Sequence, residues 1–357
     1  MDILEAVRWE NNALKLIDQT TLPDQLSTIE CTSVSDVWDA IKKLKVRGAP
    51  AIGIAAGYGV LLSCLNHIDR PVAEFVEGIR KDIEYLKTSR PTAVNLFYVL
   101  DLFESLLDET GSDKDEIIEK IRTLALHIHR DDKERCERIA QYGQEIIPQN
   151  ATILTHCNTG ALATGGIGTA LGVIYQAQLS GKNIQVFADE TRPLLQGSRL
   201  TAYELKHAGI PVRVIADNMA ASLMQQEKID VILVGADRIA ANGDTANKIG
   251  TYSLAVNAYY HDVPFYIVAP LTTFDISIES GEQIPIEFRA DSELIHYRDR
   301  LTAPGDVDTY NPAFDVTPHE LITGIITDQG IIYKPNRENV YHFVKDKLNV
   351  PKDKELL

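Results

Sequence analysis

Two side chains able to move protons, Cys157 and Asp237, each follow a short apolar run. Asp237 follows the run 231–234, which stops at Gly235, and Cys157 follows the run 151–154. A short apolar run that is bounded by glycine and followed by a helix is typical of a buried strand in a parallel sheet. Ligands bind beyond the carboxyl ends of such strands. The spacing therefore predicts that both side chains lie at the ligand-binding edge of one sheet.

The segment around Asp237 has two interpretations. Apolar neighbours would desolvate the carboxyl group and raise its pKa, which makes a useful acid or base. Aspartates in loops after strands also cap helices and close turns, and the segment alone leaves both roles open. Further along, Asn247 and Lys248 are predicted to hold an anionic substrate near the N-terminus of the next helix.

Cys157 also has two interpretations. The amides before the next helix would stabilise negative charge and lower the pKa of the thiol, as in a reactive cysteine. The alternative is a buried cysteine that packs as a small hydrophobic residue. The preceding residue, His156, is predicted to make a structural hydrogen bond rather than to serve as a base.

Two arginines stand just before predicted helix starts, in an arrangement that suits a phosphate. Arg47 precedes Gly48 and a helix with Pro50 near its first turn, and Arg90 precedes a second helix. Free amides and a guanidinium together bind phosphate, although two surface arginines near turns would give the same pattern. Gln196 precedes a later helix and is predicted to bind a sugar hydroxyl. The absence of a Walker motif argues against nucleotide triphosphate hydrolysis.

The first half of the chain is predicted to be a mostly helical domain. Residues 5–30 alternate and contain turn residues, which predicts short antiparallel strands. Helices are expected at 35–44, 51–65, 72–88, 92–108 and 116–147. The turn residues at 148–150 end the last helix, so the predicted domain comprises residues 1–148.

Strands alternate with helices in residues 149–357, which form the second predicted domain. This alternation is typical of an α/β fold with a Rossmann-like, doubly wound, mainly parallel sheet. Strands are predicted at 151–155, 184–188, 212–215, 230–234, 264–268 and 323–327, with helices at 163–179, 198–208, 218–227 and 248–260. Residues 271–318 are predicted to be mainly loops. The dinucleotide fingerprint GxGxxG is absent after the first strand.

Composition excludes several classes of protein. The net charge of -16 argues against a nucleic-acid binder, which needs a basic surface. A small anionic substrate remains possible because it needs only a few local cations. The N-terminus lacks the apolar core of a signal peptide, and no apolar run is expected to approach membrane-spanning length. Four cysteines without a CxxC pair predict no zinc site and no disulfide, in a cytoplasmic protein.

Five motifs together resemble the methylthioribose-1-phosphate isomerases over nearly the whole chain. They are RGAPAIG (47–53), SRPTAVNL (89–96), THCNTGALATGG (155–166), DETRPLLQGSRLTA (189–202) and GADRIAANGDTANKIGTY (235–252). The wider superfamily includes ribose-1,5-bisphosphate isomerases and the regulatory subunits of translation initiation factor 2B. The resemblance implies a homodimer that needs no metal and no nucleotide cofactor.

The resemblance also implies roles for individual residues. Asp237 corresponds to the proton donor, and Cys157 to the cysteine that stabilises the transition state. The implied substrate contacts are Arg47, Gly48, Ala49, Arg90, Gln196, Asn247 and Lys248.

The implied reaction converts 5-methylthio-D-ribose 1-phosphate into 5-methylthio-D-ribulose 1-phosphate, an aldose–ketose isomerisation in methionine salvage. The hydrogen on C2 reaches C1 either as a proton, with Cys157 as base, or as a hydride, and the sequence leaves both routes open. Two other functions stay open. They are ribose-1,5-bisphosphate isomerisation and a non-catalytic role like that of the initiation-factor subunits.

Overall fold

A computed structural model of the chain divides into two compact units. The residues described are 1–91, 93–109, 111, 113–297, 300–345 and 347. The N-terminal unit contains Ile3–Arg135 and Gly160–Gly168. The C-terminal unit contains Met1–Asp2, Cys136–Thr159 and the residues from Thr169 onward.

A small antiparallel sheet followed by helices makes up the first part of the chain. Its elements are β1 (Val7–Glu10), β2 (Ala13–Ile17), β3 (Thr28–Cys31), α1 (Val34–Lys42), α2 (Ala49–Asn66), α3 (Val72–Lys87), α4 (Val94–Glu109) and α5 (Lys114–Glu145). Asn11 and Asn12 join β1 to β2 and have φ of 54° and 58°, as a two-residue hairpin turn requires. The predicted antiparallel strands and helices are confirmed.

Helix α2 is buried along most of its length. A Cβ atom at Gly53 would lie 3.0 Å from a methyl carbon of Val99, and one at Gly57 would lie 3.3 Å from the Phe103 ring. Glycine at these positions therefore lets α4 pack closely. By length and composition α2 is apolar enough to cross a membrane, so the expectation that no run approaches that length was wrong. However, 78% of this stretch is buried inside the protein, as in a core helix.

The main sheet of the C-terminal unit has seven strands. Its strands and the helices of this unit around them are β4 (Thr152–Thr155), α6 (Ala170–Leu179), β5 (Gln185–Asp189), α7 (Ala202–His207), β6 (Val212–Ile215), α8 (Ala220–Gln225), β7 (Val231–Val234), α9 (Thr251–Tyr260), β10 (Phe265–Val268), β15 (Gly324–Thr327), β16 (Gly330–Tyr333) and α11 (Arg337–Val344). The strand order is β16-β15-β10-β7-β4-β5-β6. All neighbours are parallel except β15 and β16. The predicted mainly parallel, Rossmann-like sheet is confirmed, and its order reverses between β4 and β7.

A second sheet lies where the sequence predicts a helix start and loops. Its strands are β8 (Arg238–Ala240), β9 (Thr245–Lys248), β11 (Phe274–Asp275) and β14 (Phe314–Thr317), and the same stretch contains α10 (Asp291–Ile295), β12 (His296–Tyr297) and β13 (Arg300–Leu301). Asn247 and Lys248 thus end a strand, and the helix predicted from residue 248 begins at Thr251. The reason is tertiary: β9 pairs with β14, where Asn247 lies opposite Asp315, a partner too distant in sequence to appear in a local pattern.

The two units differ from the predicted division at residue 148 in three segments, of which Met1–Asp2 is the shortest and groups with the C-terminal unit. Residues 136–148 group with the C-terminal unit, where the Lys182 ammonium donates a hydrogen bond to the carbonyl of Ile147 (2.7 Å). Residues 160–168 group with the N-terminal unit. The helix predicted from residue 163 begins only at Ala170. Thr92, inside the SRPTAVNL motif, and the predicted domain's last residues, 348–357, lie outside the described residues.

Candidate active site

Cys157 and Asp237 follow the two strands between which the sheet order reverses. Strands β4 and β7 are hydrogen-bonded neighbours, with Thr155 opposite Leu233. In open α/β sheets this reversal opens a crevice at the carboxyl ends of the strands, where ligands bind. The C-terminal unit therefore carries both candidate catalytic residues at the edge where this fold binds ligands.

The backbone of Cys157 is held in an unusual conformation. Its φ is 64°, a left-handed value that costs a residue other than glycine about 1–3 kcal/mol. Two threonines hold it there: the N–H of Cys157 donates to Thr191 Oγ1 (2.9 Å), and Thr201 Oγ1 donates to the carbonyl of Cys157 (2.6 Å). The side chain is buried. A backbone so constrained aims the thiol in one direction.

His156 makes structural hydrogen bonds through both ring nitrogens, which confirms the prediction. Nδ1 lies 2.9 Å from Asp189 Oδ2, and Nε2 lies 2.9 Å from the carbonyl oxygen of Ile249. Burial lowers the pKa of the ring, but the hydrogen bond and charge of Asp189 outweigh burial and leave the pKa raised. Both nitrogens face acceptor oxygens, an arrangement that suits a ring protonated at both positions.

The Asp189 carboxylate belongs to a larger acidic group. One carboxylate oxygen each from Asp189 and Asp217 and one ring nitrogen of His156 lie within 4.8 Å of one another, a spacing that would also suit a metal ion. The carboxylate of Asp217 accepts the N–H groups of Thr191 (2.7 Å) and Arg192 (2.8 Å). Hydrogen bonds thus account for His156 and Asp217, whereas Oδ1 of the buried Asp189 has no hydrogen-bond partner among the described residues.

Asp237 lies in a different environment. Its side chain is exposed, so the expectation that apolar neighbours desolvate it was wrong. The residue stands between the end of β7 and the start of β8, and its N–H donates to the carbonyl of Ala246 (2.9 Å). That backbone bond anchors the main chain to the β8–β9 hairpin.

Asn247 and Lys248 lie at the end of β9, before α9. The buried amide of Asn247 donates to Thr251 Oγ1 (2.9 Å), and the Lys248 ammonium donates to the carbonyl of Ala313 (2.9 Å). The N–H groups of Gly250 and Tyr252 at the start of α9 are bound by the Asp315 carboxylate (2.8 and 3.1 Å). The sequence predicts that an anionic substrate binds at this helix N-terminus. The Asp315 carboxylate already accepts two of the N–H groups there, so fewer remain for a substrate.

Gln196 is buried and directly precedes the π-helical turn Gly197–Thr201. Its Oε1 has no hydrogen-bond partner among the described residues. Because a buried polar atom without a partner is costly, this oxygen is suited to accept a hydrogen bond from a ligand hydroxyl.

In the N-terminal unit, Gly48 is the N-cap of α2 and Ala49 is the first helical residue. Gly48 has a φ of 95°, and a Cβ there would lie 2.5 Å from the carbonyl oxygen of Ala163. Only glycine fits this close approach. Arg47 precedes it, and Arg90 lies four residues before α4. Both arginines are partly buried.

The sequence did not single out the residues that hold this site together. Thr191, Thr201 and Asp217 bind backbone groups of other loops, and only the fold brings those loops together. For Thr191 and Thr201, the available signal was their place inside the DETRPLLQGSRLTA motif, directly after a predicted strand.

Comparisons with known proteins agree with the motifs. The model of the Initiation factor 2 subunit family matches residues 45–334. The chain is 53% identical over 339 residues to a protein of Heliobacterium modesticaldum named methylthioribose-1-phosphate isomerase, covering 94% of this chain and 98% of the relative.

Two solved structures are similar over nearly the full length. The crystal structure of 5-methylthioribose 1-phosphate isomerase from Pyrococcus horikoshii has a TM-score of 0.92 at 44% identity, covering 97% of each chain. A structure described as translation initiation factor eIF-2B, subunit delta, from A. fulgidus has a TM-score of 0.88 at 44% identity, covering 96% of this chain and 99% of that one.

Proposed function

The chain belongs to the Initiation factor 2 subunit family and, within it, to the methylthioribose-1-phosphate isomerases; we propose that it converts 5-methylthio-D-ribose 1-phosphate into 5-methylthio-D-ribulose 1-phosphate. The protein is thus a sugar-phosphate isomerase of methionine salvage. The main support is that Cys157 and Asp237 follow adjacent strands at the reversal of the sheet order, where such a sheet binds ligands.

The proposed chemistry begins with opening of the sugar ring. Phosphate on the anomeric oxygen prevents simple hemiacetal opening, so the bond between C1 and the ring oxygen must break while phosphate stays attached. That step needs an acid, and we assign it to Asp237. Its carboxyl group is exposed without a ligand, but a bound sugar would displace water from it, and desolvation raises the pKa of a carboxyl group.

The hydrogen on C2 then moves to C1 by one of two routes. In the first, Cys157 as thiolate removes the C2 proton and leaves an enediol-type phosphate. The thiol so formed then protonates C1, while the Asp237 carboxylate takes the C2 hydroxyl proton. In the second, hydride passes directly from C2 to C1, and Asp237 takes the C2 hydroxyl proton. In both routes C1 is reduced while C2 of the same substrate is oxidised, so the reaction needs no external redox cofactor. Deuterium at C2 distinguishes them, because full retention at C1 counts against an enediol that exchanges with solvent.

The remaining residues are proposed to bind the substrate. Arg47 and Arg90 supply the charge for the phosphate, and the amides of Gly48 and Ala49 at the start of α2 supply donors. In the C-terminal unit the proposed contacts are Gln196, Asn247 and Lys248. Gln196 has the clearest structural basis, since its buried Oε1 has no hydrogen-bond partner among the described residues.

Phosphorus-31 NMR of the purified protein with 5-methylthioribose 1-phosphate tests the proposed reaction directly. Conversion to the ketose phosphate, unchanged by a chelator and without added cofactor, is the expected result. Conversion of ribose 1,5-bisphosphate instead would assign the protein to that isomerase. The two substrates differ at C5. The 5-phosphate of the bisphosphate needs a second cationic site, whereas a 5-methylthio group needs an apolar pocket.

A second candidate function is that of a regulatory subunit without catalysis. It is favoured by the similarity to the A. fulgidus structure described as an eIF-2B subunit. This candidate predicts stable complexes with related subunits and no turnover of either sugar. Turnover at an ordinary enzymatic rate would contradict it.

We further propose that the protein is a cytoplasmic homodimer. Helix α9 exposes aromatic side chains, with exposed fractions of 68% for Tyr259 and 80% for Tyr260, and large exposed apolar patches often mark protein contacts. Light scattering after size-exclusion chromatography should give twice the 39.6 kDa chain mass. A monomer at micromolar concentration would contradict this proposal.

A further inference from the structure

His156 joins the two parts of the C-terminal unit that carry proposed active-site residues. We propose that His156 is a positioning residue for the isomerisation, which holds Cys157 through Asp189 and the Asn247–Lys248 segment through Ile249. The inference rests on the proposed function. It concerns residues that do not themselves touch the reacting atoms.

The connection toward Cys157 runs through Asp189. Nδ1 of His156 is 2.9 Å from Asp189 Oδ2, and both side chains are almost completely buried, at 1% and 2% exposed. The carbonyl of Asp189 accepts the Thr191 hydroxyl (3.1 Å), whose oxygen accepts the N–H of Cys157 (2.9 Å). A histidine fixed against Asp189 therefore fixes the peptide that precedes the left-handed Cys157.

The connection toward the substrate-binding segment runs through Ile249. Nε2 of His156 is 2.9 Å from the Ile249 carbonyl, directly after Lys248. The next residue, Gly250, has a φ of 104°, and a Cβ there would lie 2.9 Å from Cε1 of His156. The chain thus passes close against the imidazole ring, which sets the position of the end of β9.

The charge state of the ring makes both connections possible at once. Only a doubly protonated imidazole donates from both nitrogens, and both face acceptor oxygens here. The acidic groups around it are Asp189 and, further away, Asp217 and Asp315, which belong to three different loops or strands. Together they stabilise the imidazolium, so one buried cation orders two loops.

Two substitutions separate the two connections. Asn places its amide nitrogen near the position of Nδ1, and Gln places it near Nε2. His156→Asn therefore keeps the bond to Asp189 and loses the one to Ile249, whereas His156→Gln does the reverse. Thr155→Val is the matched control, because the buried Thr155 hydroxyl has no hydrogen-bond partner among the described residues.

The two substitutions should change different kinetic constants. A misplacement of about 1 Å costs roughly 100-fold, so we expect His156→Gln to lower kcat about 10- to 100-fold with little change in KM. His156→Asn should raise KM about 10-fold with kcat within about threefold of wild type. Thr155→Val should resemble wild type in both. Circular dichroism and the Tm of each variant establish that it is folded.

The wild-type protein provides a measurement that needs no variant. In protein labelled with nitrogen-15 at histidine, His156 should be protonated at both ring nitrogens at neutral pH. One unprotonated nitrogen would overturn the proposal, as would folded variants that change kcat and KM equally or not at all. A loss of wild-type activity on removal of metal would overturn it in favour of an ion held by His156, Asp189 and Asp217. Wild type that turns over no substrate would overturn the proposed function itself, and this inference with it.

Discussion

The end of β4 is buried and hydrogen-bonded, whereas the end of β7 is open to solvent. At β4, His156 and Cys157 are held by Asp189 and two threonines before any ligand arrives. At β7, the backbone of Asp237 is anchored, and the residue as a whole is exposed. At the end of β4, side chains of the protein itself surround the charged groups. At the end of β7, the proposed mechanism requires a bound ligand to exclude water from Asp237.

Asp237→Asn should have the largest effect on activity. An amide cannot donate the proton, and a positioned acid contributes about 10²- to 10⁴-fold, so kcat should fall by that factor. Because the side chain is exposed, the free energy of unfolding should change by less than about 0.5 kcal/mol. Steady-state kinetics and urea denaturation measure the two quantities. The exposed Asp308→Asn serves as control, and an active Asp237→Asn would remove this residue from the mechanism.

Asp189→Asn should instead destabilise the fold. Removal of one partner from a buried charge pair costs about 3–5 kcal/mol, because His156 loses its carboxylate. Burial raises the pKa of Asp189, and the adjacent ring opposes that rise. Urea denaturation of the variant beside Asp308→Asn measures the loss. If Asp189→Asn and Asp308→Asn have the same free energy of unfolding, the Asp189 side chain does not stabilise the end of β4.

The same pair predicts a pH dependence. The pKa of His156 is raised in the folded state, so its contribution to stability is fully present below its unfolded pKa of about 6.5. That contribution is lost as pH rises through the higher folded-state pKa. Asp189→Asn should flatten the dependence, and an equally steep decline in both proteins would assign it to other groups.

Cys157→Ser should lower kcat about 100-fold while the substrate still binds. A hydroxyl is a far weaker acid than a thiol, and the proposed phosphate contacts are untouched. Cys64→Ala is the control, since burial raises the pKa of the Cys64 thiol to about 12 and makes it inert. Kinetics together with isothermal titration separate turnover from binding. Unchanged turnover in Cys157→Ser would remove the thiol from the mechanism.

Arg47→Ala and Arg90→Ala should have the smallest effects on the chemical step. Hydrogen bonds to charged groups contribute about 1.5–3 kcal/mol, so each change should raise KM about 10- to 100-fold with kcat nearly unchanged. The exposed Arg130→Ala, in the same unit, is the control. A loss of kcat with normal binding would contradict the assignment to phosphate binding. It would instead give these arginines a role in the chemical step, as proposed for Cys157 and Asp237.

Most of the fold was predictable because its elements carry local patterns. The buried parallel strands are short apolar runs, and β4 and β7 appear within one residue of their predicted bounds. β14 was missed because its partner β9 lies far away along the chain. The β8–β9 hairpin was missed although its turn contains the local signal Asn242-Gly243, because both strands are too short to show a clear alternation. Pairing with the distant β14 also moved Asn247 and Lys248 from a helix start to a strand end.

The sequence by itself determined which side chains are available for chemistry and the order in which they follow the strands. Residue types and spacing are local properties, so Cys157 and Asp237 could be placed after their strands without a structure. Only the tertiary structure decided that β4 and β7 are neighbours, that His156 is buried between two loops, and that Asp237 is exposed. Burial and hydrogen bonding depend on loops brought together by the fold, and no local pattern records those contacts.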